Sequence, residues 1–176
     1  MKTDNSYFEE KVQLRLSCIK KGITVLDCYA GKGILWGEVK KRTTQKIDIT
    51  SIEKEPGKNK RALPGDNIKY LKSLDLNKFD VIDLDAYGIP FNQLEIIFKR
   101  QYKGIVIVTA IQSMLGKLPT GMLIELGYTK KMINKIPTLF NNKGIDKLKN
   151  YLYLHGVQSI EGYFIGRKNY FKFNLK

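Results

Sequence analysis

Cysteine is almost missing from this chain: Cys18 and Cys28 are the only two, beside a single histidine, His155, and a single tryptophan, Trp36. Two cysteines at that spacing build neither a zinc site nor a disulfide framework, and no metal site is expected. The lone histidine follows a Tyr/Leu helical stretch and reads as a helix-end cap rather than a general base. No apolar run reaches the roughly 18 residues that span a bilayer. The N-terminal "MKTDNSYFEEKVQ" has no apolar signal-peptide core. A cytoplasmic location without a membrane partner is therefore the expectation. Acid is the other scarcity: beyond residue 85 there are only Glu95, Glu125, Asp146 and Glu161.

What is present suits a folded globule. Hydrophobic residues make up 43% of the 176, no low-complexity tract occurs, and a chain of this size buries a proper core. One domain over residues 1–176 is expected. The net charge of +14 is uneven: residues 1–85 carry +4 and residues 86–176 carry +10. A basic half attracts polyanions by counterion release, so nucleic acid is the expected partner.

Hydrophobic periodicity alternates between strand and helix. In residues 1–21, Phe8, Val12, Leu16 and Ile19 form one stripe of an N-terminal amphipathic helix. "ITVLDCY" reads as a strand, "AGKG" as a turn and "ILWGEVKKR" as a helix. "KIDITSIEKE" and "KFDVIDLD" are strand-like, "FNQLEIIFKRQY" is helical and "GIVIVTA" is the clearest strand. "GIDKLKNYLYLHGV" is helical, and "SIEGYFIGRKNYFKFNL" reads as a hairpin turning at 166–169. The pattern predicts an α/β fold: a mostly parallel sheet, helices on both faces, and a closing antiparallel strand.

Such sheets bind ligands beyond the carboxyl ends of their strands. There the sequence places Asp27, Tyr29, Gly31 and Gly33, then Glu53, then Asp66 and Asn67, then Asp83, Asp85 and Tyr87, then Thr109, Gln112 and Ser113. Acids thus gather at one edge of a basic protein. The turn is no dinucleotide fingerprint, because Trp36 stands where the third glycine belongs, and no phosphate-loop motif exists. A carboxylate ahead of the glycines suits a ligand with a cationic amino-acid end. Glu53 is placed for ribose hydroxyls, and Asp66 with Asn67 for an adenine edge. Together these describe S-adenosyl-L-methionine.

The sequence resembles the class I S-adenosylmethionine-dependent methyltransferases from about Ile23 to the C-terminus. "VLDCYAGKG" is similar to their D-x-x-x-G-x-G motif, "SIEKE" to their acidic second motif and "GDN" to their third. "FDVIDLDAYG" resembles the fourth motif, which reads [DN]-P-P-[YF] in members that methylate amines. The resemblance implies a Rossmann-like, seven-stranded sheet closed by an antiparallel hairpin. It puts Asp27, Gly31 and Gly33 by the methionine moiety, Glu53 on the ribose and Asp66 by the adenine, with Tyr29 a further cofactor candidate from its place between Asp27 and the glycines. At finer grain "DLDAYGIP" and "VTAIQSMLG" resemble segments of the tRNA guanine-N2 dimethyltransferases, with Ala86 in place of a proline.

That resemblance implies methyl transfer to an exocyclic amine of a nucleic-acid base, RNA before single-stranded DNA. Asp85 would accept the amine N–H and Tyr87 would stack on the base. Asp83 would either meet the methionine amino group or orient its neighbours. A methyltransferase-fold subunit that has lost catalysis and binds nucleic acid, and a methyltransferase acting on DNA or a protein, remain alternatives. With no insertion of ~100 residues to read a target, recognition would fall to a protein partner or to substrate shape.

Overall fold

The computed structural model describes residues 7–112, 118–136 and 143–176. Its centre is a sheet built from β1 (Ile23–Asp27), β2 (Ile47–Glu53), β3 (Leu63–Pro64), β4 (Val81–Leu84), β5 (Gly104–Ile111), β6 (Glu161–Ile165) and β7 (Lys168–Leu175), in the order β3-β2-β1-β4-β5-β7-β6. β3, β2, β1, β4 and β5 pair in parallel; β7 runs antiparallel to both its neighbours, β5 and β6. This is the expected mostly parallel seven-stranded sheet with a closing hairpin. The order turns back between β1 and β4, so the carboxyl ends of those two strands open a crevice for a ligand.

Alternate residues feed two cores, as strand geometry requires. On β1, Val25 packs with α1 (Phe8–Leu16) and α2 (Ile34–Lys41) through Val12, Leu14, Trp36 and Val39, while Leu26 faces the opposite core. That second core joins Leu71 of α3 (Asn67–Ser73), Leu94 and Ile97 of α4 (Phe91–Lys99), Met122 and Leu123 of α5 (Thr120–Glu125), Ile133 of α6 (Lys130–Lys135), and Leu148, Tyr151 and Leu152 of α7 (Gly144–Leu154). Side chains supply the N-caps of two of these helices: Asp66 accepts from the Ile68 amide and Thr129 from the Met132 amide.

The first helix differs from its expectation over 1–21. α1 ends at Leu16; the Cys18 amide already bonds back to Arg15 in a tight turn, and Ile19 lies beyond the helix. Its most buried residues are Val12, Leu14 and Arg15, with Phe8, Leu16 and Ile19 at the margin. A buried arginine turns the helix about its axis. The predicted apolar stripe had no means of including it.

Two short helices, α5 and α6, went unpredicted because six residues each are too few to show a helical period. The candidate Ser113 and the stretch toward Gly116 lie outside the described residues. Among the described residues no helix is long and apolar enough to cross a membrane, and no cluster of His, Cys, Asp or Glu could hold a metal ion.

Candidate active site

Asp27 closes β1, and the chain then turns through Gly31 (φ 54°) and Gly33 (φ 73°), a left-handed backbone that disfavours side chains. Nothing lies within 4 Å of where a Cβ on Gly31 would sit, so the turn presents bare backbone to open space. A Cβ on Gly33 would approach the Asn59 amide nitrogen to 3.2 Å. Around this turn lie two cavities. The larger, about 510 Å³, includes Tyr29, Gly31, Glu53, Asp66, Asn67 and Tyr87 in its wall. The smaller, about 100 Å³, lies between α1 and the glycine turn and reaches Asp27, Gly33, Trp36 and Asp83. Lys11 and Asp85 line both, and so stand on the boundary between them.

The acids are therefore brought together, but they are not equivalent. Asp83 is fully buried. Arg15 grips both its oxygens, Nε at 2.7 Å and Nη2 at 2.9 Å, and the Trp36 indole donates to it at 2.7 Å. Burial holds the Asp83 carboxyl above its ordinary value even with Arg15 pulling it down. With both oxygens engaged, Asp83 is part of the floor, oriented toward α1 and α2.

Asp85 lies one alternation further along, at the mouth. Lys11 donates to its two oxygens at 2.8 and 3.1 Å, and the Thr109 hydroxyl donates to Oδ1. Burial alone would raise the Asp85 carboxyl, but Arg15 and Lys11, helped by the Lys11 and Thr109 hydrogen bonds, hold it below the usual carboxylate range. A carboxylate has about four lone-pair sites. Three are taken here, which leaves Oδ2 one more hydrogen bond to accept.

Asp27 is the register partner of Asp83 across the β1–β4 ladder and is also buried, at 4% exposure. Its Oδ1 accepts a hydrogen bond from the Tyr29 amide, at 3.3 Å. No cation pairs directly with it among the described residues. Burial and then the Asp83 charge push its carboxyl well above the ordinary value, while Arg15 offsets this only in part. The cluster thus holds three carboxylates, Asp27, Asp83 and Asp85, against two cations, Lys11 and Arg15.

The remaining candidates divide by how much of each side chain is left for a ligand. Glu53, at the end of β2, uses Oε1 for the Glu55 amide and lines the larger cavity. Asp66 uses one oxygen to cap α3 and faces the same cavity. Asn67 is braced at both ends: Nδ2 donates to the Cys28 carbonyl and Oδ1 accepts from Gln93. Tyr87 stands 74% exposed at the rim, on a loop fixed by the Ile111 amide donating to the Gly88 carbonyl. His155 lines neither cavity; as expected it closes a helix, α7, where it stacks on Phe98 and bonds Glu125.

Sequence reasoning missed Lys11 and Arg15, and gave Trp36 no part in the site. Their one signal was a pair of cations four apart flanking Val12, on the inward side of an amphipathic helix. Whether they faced acid or solvent depended on strands 68 and 74 residues away.

No protein-family description matches this chain, and no curated protein matches its sequence. Solved structures do match its fold. One, from Methanococcus maripaludis, is described as a candidate S-adenosylmethionine-dependent methyltransferase; it is 12% identical, with 97% of this chain and 87% of that one covered and a TM-score of 0.53. A second, from Clostridium thermocellum, is described as a candidate rRNA methylase: 11% identity, 99% and 97% covered, TM-score 0.55. A third is precorrin-6y C5,15-methyltransferase from Geobacter metallireducens: 13% identity, 99% and 90% covered, TM-score 0.56. In strand order, closing hairpin and placement of its helices, the chain has the Rossmann-like fold of these methyltransferase structures.

Proposed function

We propose that the protein is an S-adenosylmethionine-dependent methyltransferase whose target is an exocyclic amine of a nucleic-acid base, RNA first and with guanine-N2-like chemistry in tRNA. The observation that carries this reading is Asp27: a buried carboxylate with no paired cation among the described residues, beside a glycine turn that leaves room for a ligand. An unpaired buried charge is costly unless a ligand answers it. The amino-acid end of S-adenosylmethionine brings an ammonium to that position. Glu53 can accept from ribose hydroxyls with its second oxygen, and Asp66 can meet the adenine edge. The residues present therefore fit the cofactor, which when bound supplies a methyl group activated on a sulfonium.

The chain's own work lies at the mouth. Tyr87, exposed beside the larger cavity, offers a ring on which a base can stack. Asp85 offers its remaining Oδ2 site to the amine N–H, which draws electron density toward nitrogen and aligns it. Held ionised by Lys11 and Arg15, Asp85 serves as a standing acceptor and is a weak proton sink. The proton shed by the methylated nitrogen passes to water. Substrate class follows from charge: 14 cations against four acids beyond residue 85 favour a polyanion. Fold alone does not choose it, since the same fold occurs in a structure named for rRNA and in one named for precorrin-6y.

A second reading, a cofactor-binding fold without turnover that serves as a nucleic-acid-binding subunit, is favoured by the Lys11 clamp on Asp85 and by Ala86 where amine methyltransferases carry proline. Two measurements separate the readings. Calorimetry with S-adenosylhomocysteine should show binding that Asp27→Ala weakens strongly; absence of binding defeats both. Labelled-methyl transfer to total tRNA and to single-stranded DNA, followed by nucleoside analysis, should then give a methylated amine. Tight cofactor binding with no transfer would establish the second reading.

A further inference from the structure

The β6–β7 hairpin reaches the active-site mouth through the backbone. The Gln112 amide donates to the Arg167 carbonyl at 2.9 Å, and its neighbour Ile111 donates to the Gly88 carbonyl at 3.0 Å. The turn carrying Arg167 is thereby fixed beside the loop carrying Tyr87. From the mouth, one face of the hairpin continues as alternating cations and rings. Lys11 Nζ lies 5.2 Å over the Tyr170 ring, and Tyr170 packs against Tyr7 at 6.0 Å. Lys168 Nζ lies 6.0 Å over Tyr7. Tyr163 stands directly opposite Tyr170 across the β6–β7 ladder, which puts both rings on the same face.

Lys168, Tyr170 and Lys172 also share that face by strand alternation. Tyr7 and Tyr163 are 36% and 37% exposed, and all of β6 but Ile165 is exposed. A core has no use for such a surface. Tyr170 is itself buried, but the exposed rings of Tyr7 and Tyr163, with lysine and arginine beside them and the mouth at one end, match the way single strands are held: bases on rings, phosphates on cations.

Resting on the function proposed above, we propose that the α1-side face of this hairpin, Tyr163 and Lys168, together with Tyr7 at the start of α1 and Arg167 in the turn, is the track that holds the single-stranded RNA flanking the target base. The occupant is a polyanion because the track is cationic, with Glu161 as the one acid on β6. It is single-stranded because duplex bases cannot reach the rings.

The test uses a short fluorescein-labelled oligouridylate and the full chain, read by anisotropy between about 50 and 200 mM salt. Arg167→Glu with Lys168→Glu should weaken binding at least about tenfold and lower the magnitude of the log–log salt slope by about 1.4, two contacts at about 0.7 each. Tyr163→Ala should cost about tenfold, within the range for one stacked base. Binding of S-adenosylhomocysteine, measured by calorimetry on the same samples, should be unchanged, and unchanged melting temperatures would show that the variants fold. Wild-type RNA affinity in both variants would overturn the track, as would a wild-type chain with no salt-dependent RNA binding. Failure of the cofactor reading would appear separately, as lost S-adenosylhomocysteine binding in the wild type, with the RNA measurement still readable.

Discussion

Asp27 and Asp83 sit side by side at the carboxyl ends of neighbouring strands and are almost equally buried, yet among the described residues only Asp83 has a cation bonded to it. Asp83 is held by a bidentate arginine and an indole, whereas Asp27 has an amide at 3.3 Å and borders the smaller cavity. Both carboxylates came out of water on folding, and among the described residues only Asp83 is bonded to a cation. The compensated acid ties α1 and α2 to the sheet. The uncompensated acid is where a cationic ligand gains most. The difference lies in partners, since residue type, strand position and burial are shared.

The harshest way to break this comparison is to take the partner from Asp83. Arg15→Met leaves a buried charge unpaired and should destabilise the protein by about 3–5 kcal/mol in urea unfolding. The double variant with Asp83→Asn should recover most of that loss, because neither charge then remains. A single variant as stable as wild type would mean that the pair does not anchor α1.

Next comes the acid at the mouth. Asp85→Asn keeps the shape but turns an acceptor into a donor facing Lys11. Methyl transfer to tRNA should fall by ~10²-fold or more, with S-adenosylhomocysteine affinity nearly unchanged. Turnover that survives would show the loop to be scaffold.

Asp27→Asn sharpens the comparison from the other side. The folded state holds the Asp27 carboxyl well above its ordinary value, so it binds that proton more tightly than the unfolded chain does. The stability this gives is present in acid and is lost as pH rises from the ordinary carboxylate range through the raised value. Near neutral pH the variant should therefore melt higher than wild type, while binding S-adenosylhomocysteine about tenfold or more weakly, as for a lost charge-assisted contact. Asp85, held low, behaves oppositely: its contribution is present at neutral pH and fades as pH falls through its lowered value. The smallest effect is expected at Tyr87→Phe, which keeps the ring and should change transfer little. A large loss would assign a role to the hydroxyl.

Strands such as "GIVIVTA" were legible because a buried strand needs an apolar run, and the run shows in any window that contains it. The glycine turn was legible because left-handed backbone needs glycine. The acids at the strand ends were legible as a set, since topology sends every parallel strand's carboxyl end to the same edge. Tyr87 was placed at the rim by the turn that follows β4. By itself, then, the sequence determined the α/β order, the edge where the acids gather, and the excess positive charge of the second half.

Only the tertiary structure decided how those acids differ. Lys11 and Arg15 meet Asp85 and Asp83 across 74 and 68 residues of chain, a pairing set by how α1 rotates against the sheet once Trp36 and Val12 have packed. Local periodicity carries no information about such a rotation. The same holds for the hairpin track: β6 and β7 were visible as strands, but their position beside the mouth depends on β7 pairing with β5, a long-range choice made by the packing of the whole sheet.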